Sequence, residues 1–125
     1  MVFAKIGSAF YVIWGLLHIA AAVQGFQLGA SLQPGLVQGK INQGAWDLLF
    51  IALAAVSISI LYNWKNNRLG YWLNLLLVSI ADIGFIIFVL LPGHVELFPG
   101  ILGPVFWLSA VIFSTLGIRS KASNL

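Results

Sequence analysis

Apolar residues run along this chain in four long blocks, parted by short stretches rich in Gly, Pro, Asn and Gln. The blocks cover Ile6–Phe26, Gly44–Tyr62, Gly70–Leu91 and Gly100–Ile118. A helix that crosses a bilayer needs about 20 mostly apolar residues, so each block predicts one spanning helix. The connectors "QLGASLQPGLVQGKINQG", "NWKNNR" and "PGHVELFPG" hold the helix breakers. The second and third are short enough to make their flanking helices antiparallel neighbours. The first is longer, and "ASLQPGLVQGKI" is expected to lie along the outer surface. "LPGHVELFPGILGP" is expected to form a tight hairpin cap, with a re-entrant binding loop as the alternative.

Inside the blocks, small residues recur at spacings of three and four. Helix 1 carries Ser8, Tyr11, Gly15, His18, Ala22 and Gly25 on one stripe, opposite Val12, Ile13, Leu16, Ile19 and Val23. The last helix repeats the pattern with Gly100, Gly103, Trp107, Ala110, Ser114 and Gly117, and helix 2 offers Leu48, Ala52, Ala55 and Ser59. Hydrocarbon supplies little hydrophobic drive between helices, so small residues mark the seams where backbones approach. The expectation is an all-α, integral membrane four-helix bundle, one domain over residues 1–125, packed in the left-handed manner. "KIG" at 5–7 and "RLG" at 68–70 each open an ascending helix, a slight sign of a duplicated two-helix hairpin.

Composition sharpens this picture. The chain is 61% hydrophobic and only 7% charged, with a mean hydropathy of +1.02. Ordinary globular domains carry about 25% charged residues, so a water-soluble surface is excluded. The net charge of +3 comes from six basic residues scattered at block ends; they make no basic face, which argues against nucleic acid. Absence of cysteine excludes disulfides, thiolate catalysis and cysteine-ligated metals.

The basic residues also set a direction. With four spans, Lys5, Lys65, Arg68, Arg119 and Lys121 fall on one side and only Lys40 on the other. The positive-inside rule places both termini and "NWKNNR" in the cytoplasm, in the inner membrane if the cell is bacterial. Tyr62, Trp64, Tyr71 and Trp72 mark the cytoplasmic interface, while Trp46 and Trp107 lie toward the outer half. Lys5, the apolar stretch and "AAAVQG" also fit a signal peptide, but the segment is read as a retained first span.

Candidate chemistry centres on Asp82, the one ionisable side chain in "LLLVSIADIGFIIFVLL". It lies about 18 Å above the start of its helix, at 1.5 Å per residue. A carboxylate at that depth costs about 2.5–3.5 kcal/mol on insertion scales. His18 stands at a similar depth on helix 1, so imidazole and carboxylate can meet as a hydrogen bond or an ion pair. Asn74 and Ser79 are expected near the same side as further hydrogen-bond partners. Asp47 favours the positive end of helix 2, and with His94 and Glu96 it is expected to rim an outward-facing polar cavity above His18 and Asp82. The ligand- or proton-handling candidates are thus His18, Asp82, Asp47, Asn74 and Glu96. Ser8, Gly15, Ala22, Gly25, Gly103, Ala110, Ser114 and Gly117 are the helix-packing candidates.

Two histidines without HxxxH or ExxH spacing make a poor metal constellation, and a haem held by His18 of two chains is a weaker idea still. No metal and no cofactor is expected. There is no phosphate-cradling loop, nucleophile elbow or dinucleotide fingerprint. The length is similar to that of small multidrug transporters and fluoride channels, which build pores from paired four-helix chains. However, helix 1 lacks the glutamate on which the former depend.

Three functions follow. First comes a non-catalytic accessory subunit that stabilises a larger membrane complex, in contact with the lipid bilayer and with other membrane subunits or copies of itself. Second is a homodimeric proton-coupled carrier or channel for a small solute, using His18 and Asp82. Third is an intramembrane acid–base enzyme acting on an isoprenoid- or sterol-like substrate. There Asp82 or Asp47 would be general acid and His18 its partner. No catalytic residue is assigned outside that third reading.

Overall fold

The computed structural model describes residues 1–124. The chain is all-helical: α1 (Val2–Ala30), α2 (Leu36–Leu61), α3 (Arg68–Phe85), the four-residue α4 (Leu97–Gly100) and α5 (Leu102–Ser123). A π-helical turn, Ile86–Leu90, prolongs α3. Four of these rods are long and apolar enough to cross a membrane.

The helices run beyond the apolar blocks. Helix α1 continues to Ala30 and α2 begins at Leu36, so most of the segment read as a surface connector is helical and only Ser31–Gly35 turns. The reason is local. After Pro34-Gly35 nothing in "LVQGKINQ" stops a helix, and polarity alone does not. The turn is tied down from both sides. Ser31 Oγ donates to the Leu28 carbonyl (2.6 Å), and Gln38 Nε2 donates to the Gly29 and Leu32 carbonyls (3.0 and 3.3 Å). The Leu28 and Gly29 carbonyls also accept from Ser31 N and Leu32 N, at 3.1 and 3.2 Å, so the side chains reinforce a backbone-bonded helix end.

At the opposite end, Asn63–Lys65 forms a 3₁₀ turn and Asn66 takes the left-handed conformation, φ 55°, which Asn tolerates better than most residues. Asn67 then caps α3, accepting from Leu69 N and Gly70 N at 2.8 and 3.3 Å. Asn66 Nδ2 donates to the Gly117 carbonyl (2.8 Å) and Lys121 Nζ to the Asn66 carbonyl (3.2 Å), which binds the turn to α5.

Helix α1 is the hub, flanked by α2 and α5, with α3 diagonally across. Its contacts use two faces. Toward α2, Ser8 and Ser59 exchange hydroxyl-to-carbonyl bonds of 3.0 and 2.8 Å, and a Cβ added to Gly15 would lie 3.1 Å from the Ala52 carbonyl oxygen. Toward α5, a Cβ on Gly117 would lie 2.9 Å from Ala4 N. Seams this close admit no larger side chain. Gly117→Ala is therefore expected to lower stability by about 1–3 kcal/mol through overpacking, read as an earlier thermal transition in detergent.

Ser8, Gly15, Ala22, Ala110, Ser114 and Gly117 are all buried, and Gly25 and Gly103 half-buried. Leu16, Ile13 and Val23, on the opposite side of α1, are exposed. The interior is filled by Tyr11, Trp14, Ala55, Val78 and Ala110. Chain direction puts the N-terminus, the Tyr62–Asn67 turn and the end of α5 at one end of the molecule. The Ser31–Gly35 turn and the Leu91–Glu96 loop lie at the other.

Candidate functional site

Asp82 lies on the inward face of α3 and is wholly buried. Its partner is Trp14 of the diagonal helix, whose Nε1–H donates to Asp82 Oδ2 at 3.2 Å. One helical turn on from Trp14, His18 stacks on the indole, ring centroids 3.8 Å apart and planes at 19°. Its Nδ1–H donates to the Trp14 carbonyl (2.7 Å), and its Nε2 lies 3.7 Å from Asp82 Oδ1. That separation is contact without a direct hydrogen bond. Asp82 Oδ1 has no other protein partner.

The tautomer of His18 follows from its neighbours. A carbonyl only accepts, so the tautomer assigned to His18 carries hydrogen on Nδ1. Nε2 then faces Asp82 Oδ1 at 3.7 Å, within electrostatic reach and beyond a direct hydrogen bond. His18 and Asp82 thus form a close acid–base pair.

Gly103 of α5 closes the site. A Cβ there would sit 3.1 Å from His18 Cε1, 3.3 Å from Nε2 and 3.5 Å from Asp82 Oδ1. A larger residue there would press on the imidazole, which would have to shift by a few tenths of an ångström.

Above the pair is a cavity of about 640 Å³, within the usual range of small-molecule pockets. Its walls are apolar, from Leu17, Leu48, Ala81, Phe85 and Leu102. His18 and Gly103 are at the deep end; Gln24 and Glu96 are its other polar residues, with Val95 and Pro99 from the loop and α4 beside them. The His18 side chain is 14% exposed and that of Asp82 0%. A ligand in the cavity therefore meets the imidazole, and the carboxyl acts through it. Below this level Trp14, Tyr11 and Val78 are fully buried and fill the interior.

The expected site residues divide. His18 and Asp82 come together, and Glu96 lines the cavity. Asp47 and His94 are exposed and line no part of it; because α2 begins at Leu36, Asp47 lies about three turns inside the helix and not at its positive end, and Leu48, one residue on, takes the wall position. Asn74 is buried but serves elsewhere, donating to the Ala55 carbonyl (3.1 Å) and to Asn63 Oδ1 (2.9 Å). Ser79 accepts from Trp107 Nε1 at 2.8 Å and does not bond Asp82.

Trp14 and Gln24 were not singled out from the sequence. Trp14 had a legible signal, since it stands four residues before His18 on the same face and its indole N–H needs an acceptor in apolar surroundings. Among the described residues, no group of three or more His, Asp and Glu gathers as a metal site. Comparison with known protein families, with curated proteins and with solved structures finds no match to this chain.

Proposed function

We propose that this chain is an integral membrane protein with both termini cytoplasmic, which takes a small lipophilic molecule into the cavity from the outer side and presents the His18–Asp82 pair to its deep end. The cavity itself carries the reading: about 640 Å³ of apolar-walled space that reaches His18, with the buried Asp82 carboxyl 3.7 Å from the imidazole. Five of the six basic residues stand at the end opposite to Glu96, which supports the orientation. An ionisable pair held in an apolar span is a functional candidate by default.

A passive stabilising subunit has no need of such a space. A carrier needs a route to the far end, and the packed residues under His18 favour a one-sided pocket instead. The chemistry available is binding, or proton transfer to and from an apolar substrate at His18 with Asp82 as its proton partner. Asp47, away from the cavity, has no part in this reading.

Asp82→Asn tests it. The amide oxygen still accepts from Trp14, so the fold is expected to persist, while the acid–base partner of His18 is lost. Wild-type protein extracted gently from its own membrane should release a small lipophilic molecule on denaturation, detected by mass spectrometry. The variant should release at least about tenfold less. Equal yields would remove the pair from the function, and a cavity that neither carries nor takes up any such molecule would end the reading.

A further inference from the structure

The cavity is one-sided in charge. Among the residues that line it, Glu96 is the one drawn from Asp, Glu, Lys and Arg. At the floor His18 presents its imidazole, and the Asp82 carboxyl behind it is fully buried. None of the six Lys and Arg residues lines the space. Lys40, the basic residue at this end, is exposed and donates to Gln43 Oε1 at 3.3 Å. His94, also exposed, sits on the loop outside the lining. Among the described residues Glu96 has no salt-bridge partner.

Glu96 is exposed at the mouth of the cavity, so solvent screens it in part, while the apolar walls on its inner side limit the screening there. A lone carboxylate there attracts a cation and repels an anion. It also has four lone-pair positions to fill, with the Gln24 amide oxygen as a second acceptor among the cavity's polar groups. An ammonium group, a donor with no acceptor, answers both demands. An alcohol answers only the second, and a carboxylate or phosphate neither.

Building on the binding proposed above, we infer that the ligand is a lipophilic amine, with its protonated nitrogen beside Glu96 and its apolar body directed toward His18. The inference concerns the Glu96 side of the cavity; the His18–Asp82 pair plays no part in it. The two assignments can fail separately.

The test compares three probes with one tail: dodecylamine, dodecanol and dodecanoic acid, in tritiated form. They are titrated against the full chain in nanodiscs of zwitterionic lipid, with empty nanodiscs subtracted, so that bilayer charge does not select among heads. Dodecylamine is expected to bind more tightly than dodecanoic acid by about tenfold or more, and more tightly than dodecanol. Glu96→Gln, at an exposed loop position, should cut the amine-to-acid preference to less than about threefold. An acid or alcohol that equals or outdoes the amine would overturn the inference while leaving the binding reading in place. So would a preference that survives Glu96→Gln. If none of the three bound, both would fall.

Discussion

Trp14→Ala should be the most destabilising single change in the molecule. Trp14 is wholly buried, stacks on His18 and supplies the hydrogen bond to Asp82 Oδ2. Truncation removes the largest buried side chain at the centre and leaves a cavity that four tightly seamed helices cannot close. Such losses cost about 3–5 kcal/mol in protein cores. The buried carboxyl also loses its donor, a further penalty of about 1–3 kcal/mol. Trp14→Phe separates the two effects, because it restores most of the volume and none of the N–H. Thermal unfolding in detergent is expected to rank wild type above Trp14→Phe above Trp14→Ala. Trp46→Ala, at an exposed ring that packs on Phe50, should change little.

Ala21→Trp should have the largest effect on binding. Ala21 lines the cavity on α1, between the levels of His18 and Gln24. An indole there projects into open space rather than into a packed seam, so stability is expected to hold. The room for a ligand is lost, and affinity for the molecule that wild type retains should fall by about 100-fold, or about 2.7 kcal/mol. Circular dichroism together with mass spectrometry of the released molecule reads both consequences. Intact binding in a folded Ala21→Trp variant would place the ligand elsewhere.

The four long helices were legible because an apolar block of spanning length has few other ways to satisfy its backbone. Their ends were not. Apolar windows measure what suits hydrocarbon, and Gln27–Ala30 and Leu36–Gln43 are helical although polar in part. The α1 stripe was readable from spacing alone, since Ser8, Gly15 and Ala22 share a face by helical period.

Depth was readable too, and it brought His18 and Asp82 to one level. What spacing cannot convey is which helix stands opposite. Asp82 is served across the diagonal by Trp14, an apolar letter in the pattern. Asn74, two turns below Asp82 on α3, finds the Ala55 carbonyl of α2 instead. Ser79 turns toward Trp107 of α5. The same limit explains Asp47 and His94. Topology assigns them to the cavity's end, but their direction around the axis depends on packing, and both are exposed and outside the lining.

The absence of native cysteine allows single thiols to report on access without background, and one experiment of this kind bears on the whole scheme. Gln24→Cys, beside the cavity, and Lys65→Cys, at the opposite end, are exposed in turn to a membrane-impermeant maleimide on intact cells. The expected result is that Gln24→Cys reacts from outside and is protected by the retained ligand, while Lys65→Cys reacts only after permeabilisation. Labelling of Lys65→Cys in intact cells, with Gln24→Cys silent until they are opened, would contradict it.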